Sequence, residues 1–275
     1  MELSEKSRDL TIDTQAERTI QLAIIKAVDL FCKEHDITCL LAYGSLLGAV
    51  RHGGYVPWDD DVDLAMPRED YERFLKEFSH PTFQVYSLQT NQNCRYPFAK
   101  VYDTRTEVFE GAFHSISEYG VNIDIFPIDK IPEQRFCQYV LLKRLWFWLN
   151  ILKIRISRVC SIMTKKQNLI IAIGNLFFFW LSSASLARKI NDIAYKYQNY
   201  KTSKVGCLVW GYGIKEIVDA SLYDSSVQMK FEALQLSVPQ GYEKILTSLY
   251  GDYLTLPPIH ERVTHHDYYA RWKNV

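Results

Sequence analysis

The sequence has no excess of either charge: 32 acidic residues stand against 32 basic ones. That balance removes any whole-molecule attraction to nucleic acid. Its six cysteines, Cys32, Cys39, Cys94, Cys137, Cys160 and Cys207, include no CxxC pair and no zinc-type spacing to histidine. A disulfide-stapled scaffold and a structural zinc site are therefore excluded, which leaves buried thiols. The first twenty residues are polar and charged, so no secretory leader is visible and the reducing cytoplasm is the expected compartment. Long apolar runs are lacking too. The richest, Leu169 to Leu181, is broken by Gly174 and Asn175 and falls short of the ~20 residues that a spanning helix needs.

One absence is local. Between Gln134 and Asn191 there is no acidic residue, whereas ten basic ones occur: Arg135, Lys143, Arg144, Lys153, Arg155, Arg158, Lys165, Lys166, Arg188 and Lys189. The same stretch carries Trp146, Phe147, Trp148, Ile151, Leu152, Ile154 and Ile156, and helices are its expected form. Two readings stay open. Such helices can lie in the interface of an anionic membrane surface, where each well-placed Lys or Arg adds about 1 kcal/mol. Alternatively they pack on the rest of the fold with their charges solvated. A nucleic-acid groove ranks third, because the aromatics cluster with aliphatics instead of alternating with the charges. No nucleic-acid partner is expected.

What the chain does have is a block of aspartates, Asp59, Asp60, Asp61 and Asp63, following Gly44, Ser45 and a basic step through Arg51, His52, Gly53 and Gly54. Two ionised carboxylates ~4 Å apart repel by about 4 kcal/mol at a surface-like dielectric, so a converging set calls for a cation. All-oxygen ligands suit Mg²⁺, with Mn²⁺ as the substitute, and such ions commonly bridge carboxylates to phosphates. Phosphoryl or nucleotidyl chemistry is the implied class; a solvated acidic loop is the bland alternative. Val62, Leu64 and Met66 alternate with Asp61, Asp63 and Ala65 at the period of a strand, which turns Asp61 and Asp63 to one face as paired metal ligands. Asp124, between Ile123 and Ile125, is poorly placed for a core unless it meets a cation, and is the expected third ligand. Asp129, after Pro127, is a weaker choice and better suited to capping the following turn.

Around this block, Thr14 with Glu17 reads as a capping box opening an amphipathic helix to about His35. Thr38 to Tyr43 reads as a strand and Leu46 to Val50 as a brief helix. Pro67 opens another helix through Tyr71, Phe74, Leu75 and Phe78. Strand character recurs at Phe83 to Leu88, Phe98 to Tyr102, Thr106 to Phe109, Val121 to Phe126 and Leu208 to Tyr212, and helical character at Tyr242 to Leu249. The expected class is α+β, a mixed β-sheet flanked by helices. The expected division is a catalytic core over 1–133, a basic amphipathic helical insertion over 134–200, and a C-terminal part over 201–275 completing the core and substrate site. His265 and His266 are candidates for holding metal or phosphate if a turn brings them together; a surface or capping role competes.

The block YGSLLGAVRHGGYVPWDDDVDLAM, Tyr43 to Met66, closely resembles the LicD family of phosphotransferases, which also includes the fukutin-related proteins. FAKVYDTRT (98–106), VNIDIFPID (121–129) and YGDYLTLPP (250–258) extend the likeness. The resemblance implies a nucleotidyltransferase-like core that transfers a phospho-alcohol such as phosphocholine from a CDP-linked donor to a sugar hydroxyl, releasing CMP. The acceptor it implies is a cell-surface glycan or its lipid-linked oligosaccharide precursor, which suits a place on the inner face of the cell membrane. Gly44 and Ser45 match the family's phosphate-proximal turn, Asp61 and Asp63 its paired metal ligands, and Asp124 its third acidic position. The interval from Ser45 to Asp61 is longer than in the wider superfamily though normal for LicD relatives, and it keeps Asp59 and Asp60 open as ligands. On this reading Asp61, Asp63 and Asp124 hold the metal, Asp124 takes the acceptor proton, and Arg51, Lys100 and His52 surround the phosphates. Transfer from an NTP and a non-catalytic membrane-associated scaffold are the rival readings.

Overall fold

The computed structural model describes residues 10–110, 118–160, 163–263 and 268–273. The described strands are β1 (Thr11–Ile12), β2 (Leu40–Leu41), β3 (Asp63–Pro67), β4 (Phe83–Tyr86), β5 (Ala99–Asp103), β6 (Thr106–Glu110), β7 (Asn122–Ile131), β8 (Lys204–Gly206), β9 (Val218–Asp219), β10 (Ser226–Phe231), β11 (Leu234–Pro239) and β12 (Tyr268–Trp272). The α-helices are α1 (Thr14–Glu34), α2 (Tyr43–His52), α3 (Arg68–Glu77), α4 (Arg135–Ile156), α5 (Lys165–Phe177), α6 (Ser183–Tyr195) and α7 (Tyr242–Tyr250). The arrangement is α+β, as the alternating patterns predict.

A mixed sheet ordered β2-β3-β7-β5-β4 forms the centre. β3 and β7 run parallel, and β5 lies antiparallel to β7 on its other side. Farther along, β8 takes over that second side from Asp129 to Ile131. Pro127 sits in the gap between these two partners, where its missing N–H costs no ladder bond on that side. This is why β7 continues beyond the expected end at Phe126.

Both faces of the sheet are covered. Ile24, Ile25 and Val28 of α1 and Phe74 of α3 pack with Leu64, Val101, Ile123 and Ile125 on one face. Leu141, Leu145 and Leu152 of α4 and Leu186 and Ile190 of α6 pack with Phe98, Phe126 and Ile131 on the other. Each fully buried aliphatic side chain of these layers contributes about 1.5–3 kcal/mol. The basic helices thus attach to the fold through one apolar face of α4 and of α6.

Several local expectations change. The cap of α1 is Asp13, whose Oδ1 accepts from Ala16 N–H at 2.7 Å, not Thr14. The expected strand at Thr38–Tyr43 shrinks to Leu40–Leu41, and α2 begins at Tyr43, three residues before the expected helix. Leu208–Tyr212 is not a strand; the pairing there belongs to Lys204–Gly206, and the following residues turn toward the cleft described below. Asp129 caps no turn. It is fully buried in β7, where Arg68 Nε and Nη2 donate to its two oxygens at 2.7 and 2.8 Å and Gln198 Nε2 adds a third bond at 2.6 Å. Among the described residues no helix is long and apolar enough to cross a membrane.

Candidate active site

Parallel pairing of β3 with β7 sets Asp63 directly beside Asp124, and antiparallel pairing of β5 with β7 sets Lys100 on the other flank of Asp124. Paired residues on adjacent strands project to the same face, so backbone register alone lines up two acids and one base. Lys100 Nζ donates to Asp124 Oδ1 at 2.6 Å and to Asn122 Oδ1 at 3.2 Å. It is buried, with the rings of Tyr96, Phe98 and Tyr119 within 5.5 Å of its ammonium. Lys100 is thus the counter-ion of Asp124 rather than a residue of the cleft wall.

The ladder reaches back to Val62, whose carbonyl accepts from Asp124 N–H at 2.8 Å, although the strand proper starts at Asp63. Just before it, the acidic loop is pinned from outside. Arg18 Nη2 donates to the Asp59 carbonyl at 2.8 Å and Gln21 Nε2 to the Asp60 carbonyl at 2.9 Å. These bonds fold Asp59 back over the start of α2. An ideal Cβ on Gly44 would stand 2.5 Å from Asp59 Oδ2, so glycine is needed there to seat a carboxylate. Ser45 is buried behind, its Oγ accepting from Asp63 N–H at 2.9 Å.

Asp59, Asp61, Asp63 and Asp124 thereby share one wall of a cleft of about 1160 Å³. Asp59, Asp60 and Asp61 can each place an oxygen within 4.8 Å of the others, but Asp60 does not line the cleft. The crowding shows in their acidities. Burial, then the charges of Asp61 and Asp60, push the Asp59 carboxyl up to about 7. Burial, then Asp61, Asp124 and Asp59, hold the Asp63 carboxyl well above its usual range, with Lys100 opposing. Carboxylates that resist ionisation because of burial and then of one another gain from added positive charge, and an all-oxygen donor set of this kind fits Mg²⁺ or Mn²⁺.

Aromatic rings make up much of the remaining lining. Tyr212 and Tyr250 meet at 5.8 Å and 74°, and Tyr212 lies 5.8 Å from Tyr43. Asp63 is close enough to both Tyr212 and Tyr250 to raise their phenol pKa values, after the larger effect of burial. Tyr43 enters α2 with φ of 43°, a left-handed conformation uncommon outside glycine. Glu216 holds the loop behind: its Oε1 accepts from Tyr212 N–H at 2.9 Å, and burial pushes its carboxyl up to about 7.

Cations occupy the rim. The Arg51 and Arg262 guanidinium carbons lie 5.8 and 5.4 Å from the Trp58 ring, and Arg51 Nη1 donates to the Tyr253 carbonyl at 3.1 Å. Lys153, from α4, lines the same cleft with its ammonium 5.1 Å from the Trp210 ring.

Of the residues singled out in the sequence, Gly44, Arg51, Asp61, Asp63 and Asp124 line the cleft. His52 is exposed and accepts from Arg51 Nε at 3.0 Å. Gly53 is the left-handed C-cap of α2, and Gly54 leaves room for Glu232 rather than for phosphate. His265 and His266 lie outside the described residues. Sequence reasoning missed Arg18, Gln21, Lys153, Tyr212, Tyr250 and Arg262. Gln21 carried a signal: a polar residue among the apolar positions Ile20, Ile24, Ile25 and Val28, and now buried with them.

The family described as LicD/FKTN/FKRP, nucleotidyltransferase domain, matches residues 36–149. That span contains β3, β7, all four cleft aspartates and Lys100. The chain is similar to the lipopolysaccharide cholinephosphotransferase LicD of Haemophilus influenzae, at 28% identity over 260 residues, 90% of this chain and 95% of that protein. It is also similar to an uncharacterized protein of Rickettsia prowazekii, at 31% identity over 108 residues, 39% of this chain and 38% of that one.

Proposed function

Because the chain belongs to the LicD family, we propose that its cleft transfers a phospho-alcohol, phosphocholine in the first instance, from a CDP-linked donor to a hydroxyl of a cell-surface glycan or its lipid-linked precursor. The observation that carries this reading is the pairing, in one cleft, of a four-carboxylate wall with a tyrosine wall. The acceptor oxygen forms a bond to the phosphorus bearing the alcohol, the bond from that phosphorus to the CMP oxygen breaks, and CMP departs. The hydroxyl proton passes to Asp124, whose carboxylate pairs with Lys100 at 2.6 Å. Asp59, Asp61, Asp63 and Asp124 would hold Mg²⁺ or Mn²⁺. When bound, such an ion neutralises charge on the phosphates as the leaving group separates. Arg51 and Arg262 beside Trp58, together with Lys153, supply fixed positive charge for the diphosphate.

The aromatic wall accounts for choline. A quaternary ammonium has no N–H to donate and is best held against ring faces, which attract it by ~0.5–2 kcal/mol each. Trp210 already faces the Lys153 ammonium and Trp58 the guanidinium groups of Arg51 and Arg262, and among the other lining rings the choline subsite is assigned to the paired Tyr212 and Tyr250. Tyr212→Leu is expected to raise KM for CDP-choline ~10-fold and to leave that for CDP-glycerol unchanged; Tyr212→Phe keeps the preference. Initial rates with both donors check this.

Gly44→Ala tests the seat of Asp59. The new methyl displaces that carboxylate, and an ångström-scale shift in a catalytic group costs up to ~10²-fold in kcat, with thermal stability little changed. Single-turnover rates and a melting curve on the same sample make the comparison.

The reading as a whole is tested with Mg²⁺, a glycan acceptor and a panel of CDP-choline, CDP-ethanolamine, CDP-glycerol and CDP-ribitol. CMP release that requires both donor and acceptor supports it. Pyrophosphate release from CTP instead would establish nucleotidyl transfer, which the same carboxylates could serve. Acceptors assembled on lipid place the enzyme at the inner face of the cell membrane, as a peripheral protein.

A further inference from the structure

Helix α5 buries only Ile171 and Gly174 of its thirteen residues. The side chains it leaves in solvent include Leu169, Ile170, Ile173, Leu176 and Phe177, with Leu176 73% exposed. Phe179 and Trp180, just beyond, are exposed as well. On α4, Phe136, Val140, Phe147 and Ile154 fall within about 40° of one line, since eighteen residues make about five turns. Phe136 is 76% exposed and Phe147 half exposed on that line. Ile154 ends it as the floor of an apolar groove of about 390 Å³, walled by Ile170, Ile173, Phe177, Phe178 and Trp180. The approach is close because α5 has glycine at the crossing: a Cβ on Gly174 would stand 2.6 Å from Ile154 Cγ2.

An apolar face of this extent on a water-soluble surface needs an occupant. Charge selects it. Lys143 lies on the apolar line of α4, Arg144 beside it, and Lys165 and Lys166 open α5, all exposed, in a segment with no acidic residue from Gln134 to Asn191. A second copy seated by two-fold symmetry would set these bases against themselves. An anionic surface with hydrocarbon beneath it complements both features.

We propose that the α4–α5 face docks on an anionic phospholipid leaflet, with the groove over Ile154 receiving a hydrocarbon chain. Successive positions on a helix turn by about 100°, so Lys153 enters the catalytic cleft while Ile154 floors the groove. One turn of α4 therefore faces the lipid and the reacting phosphates together. The docking deepens the membrane placement proposed above but does not depend on the chemistry in the cleft.

The test is co-sedimentation of the full chain with vesicles of equal parts phosphatidylglycerol and phosphatidylcholine, against vesicles of phosphatidylcholine alone. Strong uptake by the first and weak uptake by the second is expected. Phe147→Ser/Phe177→Ser/Trp180→Ser should lose ~10-fold or more in vesicle affinity, with unchanged circular dichroism and unchanged CMP release on a water-soluble acceptor. Lys143→Glu/Lys165→Glu/Lys166→Glu, which leaves the groove intact, should lose binding to anionic vesicles selectively. Equal uptake by both vesicle types overturns the proposal. So does full retention of affinity by both triple variants, or a dimer in light scattering that the serine variant dissolves while vesicle uptake is absent. Because the soluble-acceptor assay reads the reaction alone, failure of docking and failure of the transferase reading are separable.

Discussion

Asp63→Asn is expected to lower turnover by ~10³-fold or more, yet to stabilise the protein when divalent cations are removed at pH 8. Both effects come from the same crowding. Asp63 is held well above the usual carboxylate range by burial and then by Asp61, Asp124 and Asp59, and Asp59 is pushed up to about 7. A carboxyl whose folded pKa lies above its unfolded value is neutral in both states at low pH and costs nothing there. As pH rises past the unfolded value near 3.8, the folded state loses stability, and for Asp59 the loss is complete only above about 7. In chelator, the melting temperature of the parent should therefore fall between pH 5 and pH 8. Asparagine at position 63 removes part of that fall, so the variant's melting temperature should drop less than the parent's between pH 5 and pH 8. Excess Mg²⁺ should flatten the parent's profile and do less for the variant. Thermal scans at pH 5 and pH 8, with chelator and with Mg²⁺, decide the matter; superimposable profiles for parent and variant would refute the crowding argument. Unaltered biological output from the variant would favour a non-catalytic scaffold.

Arg68→Leu carries the largest expected stability cost. Arg68 opens α3 and Asp129 lies within β7, both side chains almost fully buried and joined by two bonds at 2.7 and 2.8 Å. Arg68 Nη1 also donates to Asn191 Oδ1 at 2.9 Å, tying α6 to the same point. Without the guanidinium, a buried carboxylate keeps, among the described residues, only the bond from Gln198 at 2.6 Å. Breaking one side of such a pair costs about 3–5 kcal/mol, roughly 10 °C in a chain of this size. The double replacement Arg68→Leu/Asp129→Leu should recover most of that, because it removes the orphaned charge as well. Urea unfolding of the parent and the two variants closes the comparison. If the double variant is as unstable as the single one, the cost is lost packing rather than an unpaired charge.

Local chemistry made much of this legible in the sequence. The alternation through Val62, Leu64 and Met66 identified the acidic strand, and the isolated charge between Ile123 and Ile125 identified its neighbour. No local pattern could show that Asp63 and Asp124 are register partners, since that depends on which strands pair. The same limit hid the role of Lys100, which the antiparallel partner of β7 places against Asp124. Pro127, two residues before Asp129, suggests a turn by its local chemistry, whereas the gap between β5 and β8 accommodates it in a strand. By composition Lys153 belongs with the basic helices, and only the packing of α4 carries it to the cleft. Tyr212 and Tyr250 were hidden in a chain with 18 tyrosines.

The pairing of β3 with β7 has a consequence for biosynthesis. Asp63 and Asp124 are separated in the chain by β4, β5 and β6, so they become neighbours only after a long loop has closed, a slow and entropically costly event. A growing polypeptide that has emerged only as far as β6 carries Asp59, Asp61, Asp63 and Lys100 but lacks Asp124 and the strand that draws them together. The acidic wall is thus complete only once the last central strand has emerged, and half-made chains have no assembled cleft.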